Sequence, residues 1–131
     1  MLRNLAEIKT RCLQEELPLF AFMYPRVNDK KTTDVNPVRY AARLGAEIGV
    51  DVVKTYYTGS KESFERVVED CFVPIVVAGG IKTKREEEFL RIVKDVMAAG
   101  ASGIAVGRNV WMRENAVEML KRIRGVVKSQ S

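Results

Sequence analysis

The sequence predicts an α/β fold: the C-terminal half of a TIM (β/α)8 barrel, with one helix followed by four parallel βα units in a single partial-barrel domain over residues 1–131. Three observations lead there. Four short apolar runs, at residues 19–24, 50–55, 73–78 and 104–106, read as strands buried on both faces. Each is followed by a stretch with apolar residues at helical spacing, and that alternation implies a parallel sheet with right-handed crossovers. The helices are too few to cover both faces of a doubly wound sheet, and 131 residues is half of the ~250 that a whole barrel takes.

Residues 2–16 carry Leu2, Leu5, Ile8, Cys12 and Leu13 at helical spacing, and Pro18 marks the boundary. The first strand ends at Tyr24-Pro25-Arg26, where proline breaks the ladder. Residues 27–35 are polar and read as a loop of the kind found over active sites. Asn36-Pro37 predicts an N-cap and first helical position. The helix to Gly49 then turns Val38, Ala41, Ala42, Leu44 and Ile48 inward. After the second strand, Ser60 and Ser63 supply capping groups for a helix whose apolar stripe is Phe64, Val67 and Val68. The third strand holds Pro74 near its start, where a lost ladder bond matters least. A helix over residues 84–99 gathers Phe89, Ile92, Val93, Val96 and Met97 on one face. Its acidic opening, Glu86-Glu87-Glu88, suits the helix dipole and is not a metal site. The fourth strand ends at Gly107-Arg108, and after a connection containing Trp111 a helix over residues 116–127 closes the chain.

Composition excludes several classes. A chain 47% hydrophobic and 30% charged is that of a soluble domain with a real core. No apolar run approaches the ~20 residues of a transmembrane helix, and residues 1–16 lack a signal-peptide core. A cytoplasmic protein without a membrane partner is expected, with Cys12 and Cys71 as reduced thiols. Histidine is absent, so acid–base chemistry falls to Lys, Tyr, Asp or Glu, with neither a serine–histidine triad nor a histidine-bound metal. The net charge of +5 is dispersed among acids. No nucleic-acid motif appears, and the cation excess suits a phosphorylated small molecule.

In a barrel, reactive groups gather at the C-terminal ends of the strands. Here those ends are Tyr24-Pro25-Arg26, Lys54-Thr55-Tyr56, Ala78-Gly79-Gly80 and Gly107-Arg108. Lys54 follows a β-branched run, and desolvation at a strand end favours the neutral amine that attacks a carbonyl. The local pattern alone fits an exposed lysine past the strand equally well. The glycines at the last two strand ends let backbone N–H groups approach an anion, and Lys82, Lys84 or Arg108 would add charge. Either glycine pair alone is an ordinary βα turn; the two together point to phosphate. Tyr24, one unit before Lys54, is placed for proton transfer, while Tyr56, Tyr57 and Trp111 read as packing residues.

The segments Met23-Tyr24-Pro25-Arg26, residues 53–59, residues 77–84 and residues 103–111 together resemble the archaeal-type class I aldolases. The resemblance is greatest to fructose-bisphosphate aldolase and to the branch that makes 2-amino-3,7-dideoxy-D-threo-hept-6-ulosonate for aromatic amino-acid synthesis. It covers nearly the whole chain and corresponds to the C-terminal half of the family's barrel. The resemblance implies Lys54 as Schiff-base lysine and Tyr24 as proton donor. It also implies that Tyr24, Pro25, Arg26, Gly79, Gly80, Gly107 and Arg108 line a phosphorylated substrate, with no metal and no cofactor. The family has proline where Ile81 stands, and strands one to four, with a catalytic aspartate on strand one, have no counterpart here. A half-barrel leaves two sheet edges open. Closure by a second copy in a homo-oligomer, or by a complementing N-terminal half-barrel, is therefore expected. A catalytically inactive phospho-sugar-binding or assembly half-barrel is the alternative.

Overall fold

The apolar stripes and β-branched runs sort the chain into four βα units after one helix. The computed structural model describes residues 2–130, the side chain of Leu2 excepted. Helix α1 (Leu2–Gln14) is followed by β1 (Phe20–Phe22) and a hairpin of β2 (Arg26–Val27) and β3 (Lys30–Lys31). Then come α2 (Val35–Ile48), β4 (Val52–Thr55), α3 (Lys61–Glu69), β5 (Ile75–Ala78) and α4 (Glu86–Ala98). The strand β6 (Gly103–Ala105), the short α5 (Arg108–Trp111) and α6 (Ala116–Ser129) end the chain. Strands β1, β4, β5 and β6 form one parallel sheet in that order. The order never reverses, so the sheet has no switch point of the doubly wound kind.

Alternation along the strands turns Ala21, Met23, Val53, Thr55, Ile75 and Val77 toward the helices, where all are buried. Helix α2 packs on β4 and beside α3, α3 packs beside α4, and α4 beside α6. The main core joins these strand residues to Val38, Ala42, Phe64, Val67 and Val96. A smaller core under α4 and α6 is built from Phe89, Val93, Met97, Met119 and Ile123. The reverse face of the sheet is uncovered: Phe20 and Phe22 are 53% and 61% exposed. The expectation that the first strand is buried on both faces is therefore corrected. Its apolar run is continuous, yet within this chain helices cover one side only.

Three local features also differ from expectation. The polar loop of residues 27–35 contains a two-residue hairpin, with Arg26 opposite Lys31 and Val27 opposite Lys30. Asn28 and Asp29 take φ of 49° and 60°, the left-handed pair that a tight hairpin turn demands and that Asn and Asp tolerate best. Helix α2 begins at Val35 behind Asp34, not at Pro37; proline still falls in the first turn, where its missing N–H costs nothing. The connection containing Trp111 is the helical turn α5. The capping box of Ser60 and Ser63 forms as expected. Both cysteines are free. No helix among the described residues is long and apolar enough to cross a membrane.

Asp51, just before β4, ties that strand to its neighbours. Its Oδ2 accepts the Leu19 N–H at 2.7 Å and the Lys9 ammonium at 2.9 Å. The Leu19 N–H, then the Lys9 contact, hold this carboxyl below the ordinary aspartate value. A carboxyl lowered on folding contributes stability above its unfolded value and loses it as pH falls through the folded one. Asp51→Asn should therefore lower Tm at neutral pH and flatten its fall below pH ~4. Parallel acid limbs for the two proteins in calorimetry would refute this.

Candidate active site

Strand register assembles the site. Phe22 lies opposite Lys54, and Lys54 opposite Val76. The end of β1 is clamped beside β4, because the Met23 N–H donates to the Lys54 carbonyl at 2.9 Å. The fully buried Thr55 hydroxyl donates to the Met23 carbonyl at 2.8 Å. These bonds bring Tyr24 level with Tyr56, and the two rings stack at 4.3 Å with an 8° interplanar angle. Lys54 is half-buried, its Nζ 4.3 Å from the Phe22 ring centroid. Partial burial, then the Tyr56 phenol, push the Tyr24 hydroxyl above its ordinary range. An ordinary phenol is already protonated at neutral pH, and this rise makes the Tyr24 hydroxyl a weaker acid.

A cleft of about 290 Å³ opens at this end of the sheet and brings together Tyr24, Lys54, Gly79, Gly80, Gly107 and Arg108. Ala78 and Ala105, paired across β5 and β6, also line it; their small side chains leave the space that the longer Lys54 and Tyr24 border. Pro25 and Arg26 are not part of it. They line a separate groove of about 680 Å³ with Tyr40 and Leu44, which Tyr24 also borders. That groove is larger but holds no amine, so the smaller cleft is where carbonyl chemistry can occur. Arg26 instead donates to the Asp29 carbonyl at 3.3 Å and braces the hairpin turn.

The glycines serve packing as well as approach. A Cβ on Gly79 would stand 2.8 Å from that of Val106, and one on Gly107 would stand 2.0 Å from the Trp111 ring. The Gly79 N–H is already committed to the Ala105 carbonyl at 3.2 Å. Residues outside the expected set also reach the cleft: Lys31 from β3, Tyr56 and Trp111. Tyr56 and Trp111 were expected to pack; Trp111 is in fact 68% exposed. Lys31 stands in a polar stretch with no local sign of the cleft, and the β2–β3 hairpin is what brings it there. Tyr57 does pack, 5.9 Å from the Phe64 ring, and donates to Asp95 at 3.4 Å. Burial and that carboxylate push its hydroxyl up to about 12. Lys82 turns from the cleft to the Met112 carbonyl at 2.7 Å. Among the described residues no group of three or more His, Cys, Asp or Glu could hold a metal.

Reactive groups gathered where parallel strands end place the chain among α/β proteins that build their sites at that edge of the sheet. The chain belongs to the DeoC/LacD family of aldolases, whose model matches residues 1–113. It is 42% identical over 130 residues to the class 1 fructose-bisphosphate aldolase of Thermoproteus tenax, covering 97% of this chain and 49% of that one. It is 45% identical over 116 residues to 2-amino-3,7-dideoxy-D-threo-hept-6-ulosonate synthase 1 of Archaeoglobus fulgidus, covering 88% and 42%. A crystal structure of an archaeal fructose 1,6-bisphosphate aldolase superposes with a TM-score of 0.92 at 42% identity, covering 98% of this chain and 52% of that one. Another archaeal structure, with its catalytic lysine covalently bound to a carbinolamine of the substrate, gives 0.91 at 42% identity, covering 97% and 51%. The chain thus spans about half the length of the relatives it matches.

Proposed function

We propose that this chain is the C-terminal half of a class I aldolase barrel, a single partial-barrel domain acting on phosphorylated sugars. The supporting observation is the shared cleft of Lys54, Tyr24 and two glycine loops. Lys54 Nζ adds to the substrate ketone, and loss of water leaves a protonated imine. Loss of the proton from the hydroxyl beside the breaking bond, to water, lets that carbon leave as an aldehyde while the bond's electron pair moves into the imine and gives an enamine. The Tyr24 hydroxyl protonates the enamine carbon, and hydrolysis returns the free amine. Gly80, Gly107 and Arg108 hold the phosphate, and binding there orients the reacting carbon. Gly79 shapes that loop, while Pro25 and Arg26 set the hairpin beside it. The substrate is a phosphorylated sugar, cleaved as by a fructose-bisphosphate aldolase or condensed as by a heptulosonate synthase. The uncovered sheet face at Phe22 favours closure by a second copy or by a complementing N-terminal half-barrel.

Borohydride reduction with a ketose phosphate tests this reading. A reduced adduct mapped to Lys54 supports it; phosphate binding without any adduct means an inactive binding or assembly half-barrel. Tyr24→Phe should still form the adduct, while exchange of the bound ketone's α-proton falls ~10²- to 10⁴-fold. Exchange at the parent rate, followed by NMR in deuterium oxide, would remove Tyr24 from the mechanism.

A further inference from the structure

Asn109, at the start of α5, is a polar side chain buried as deeply as the core: it is 1% exposed. Its Nδ2 donates to the Gly79 carbonyl at 2.8 Å and to the Ile81 carbonyl at 3.0 Å. Its Oδ1 accepts the Thr83 N–H at 2.9 Å and Arg113 Nη2 at 3.2 Å. Two carbonyls on one end of the amide and two N–H donors on the other fix its orientation, and every polar atom is satisfied. The same Arg113 Nη2 donates to the Thr83 hydroxyl at 2.8 Å, and that hydroxyl donates to the Arg85 carbonyl at 2.7 Å. The loop after β5 is thus held by side chains from the segment after β6, and the two strand ends are locked into one unit.

A trans peptide is planar, with its C=O and N–H pointing in opposite directions. Drawing the Gly79 and Ile81 carbonyls onto Asn109 turns the next N–H groups, those of Gly80 and Lys82, the other way. Among the described residues neither N–H has an acceptor, and Gly80 lines the cleft. N–H groups turned to one side of a loop and left without an acceptor can bind an anion, as those of a nest do. We infer that Asn109 is a positioning residue that aims the backbone N–H groups of Gly80 and Lys82 at the substrate phosphate, with Thr83 and Arg113 as its braces. This rests on the proposal that the loop takes a phosphate.

The test separates phosphate holding from amine chemistry in the full chain. Asn109→Ala should bind inorganic phosphate about tenfold or more weakly in calorimetric titration, since two loop-orienting hydrogen bonds are lost. Borohydride fixation of dihydroxyacetone phosphate on Lys54 should weaken in parallel. Fixation of phosphate-free dihydroxyacetone should stay within about twofold of the parent, because Asn109 does not touch the amine. Thr83→Val keeps the Thr83 N–H and removes one brace, so a loss of about threefold is expected even where Asn109→Ala fails to fold. A parent that binds phosphate while both variants bind it as tightly overturns the inference alone. Equal losses with both ketones also overturn it, because they mark general loosening. A parent that neither binds phosphate nor forms an adduct removes the functional reading and this inference together.

Discussion

Lys54→Met should abolish the borohydride-fixed adduct with a ketose phosphate, a loss of at least ~10³-fold in fixation rate, as expected when a nucleophile is removed. Methionine fills similar space without an amine. The fold should survive, because Lys54 joins the sheet through its backbone and its side chain lies on the uncovered face beside Phe22. Lys31→Met is the control: Lys31 lines the same cleft, so its loss should leave the adduct on Lys54. Peptide mapping by mass spectrometry distinguishes the two. An adduct that persists in Lys54→Met, or one that maps to Lys31, would rule out Lys54 as the Schiff-base residue.

Phe64→Ala should be the most damaging single change in the core. Phe64 is fully buried in α3 and joins the strand residues to α2 and α4. Truncating such a ring costs ~3–5 kcal/mol, against a total stability of ~5–15 kcal/mol for a typical domain. A fall in Tm of ~10 °C or more is expected for a chain of this size. The nearby aromatic Phe72 supplies the contrast. It is 64% exposed, and its ring lies 5.1 Å from the Arg43 guanidinium, so Phe72→Ala should cost under ~1 kcal/mol. Similar losses in the two proteins would mean that the main core is not centred on Phe64.

The strands were legible because their apolar, β-branched runs are continuous, while the face that each residue takes was decided by the structure. Val53 and Thr55, or Ile75 and Val77, face one way, and a one-residue slip would turn each of them to the wrong side. The Ser60–Ser63 cap and the acidic start of α4 were equally plain, since both rest on local backbone chemistry. The hairpin of β2 and β3 was not. Its signal is a pair of polar residues, Asn28-Asp29, with no alternating apolar flanks, and its side chains are exposed. Asn109 was hidden for a different reason. A buried asparagine is defined by partners 26 to 30 residues away, and nothing in its neighbours announces them.

By itself the sequence determined the order of the four βα units, the parallel sheet and the family. It also set Lys54, Tyr24 and the glycine pairs at the ends of the strands. Each of these depends on short-range pattern: strand period, turn chemistry, the residue at a strand's end. Only the tertiary structure decided which of them meet. Strand register stacked Tyr24 on Tyr56 and set Lys54 against the Phe22 ring. It brought Lys31 to the cleft and left Pro25 and Arg26 in the adjoining groove. It also put the Gly79 N–H into the ladder and left that of Gly80 without an acceptor among the described residues. The physical reason is that hydrogen bonds and contacts between strand ends depend on how units far apart in the chain align across the sheet, and no local stretch carries that alignment.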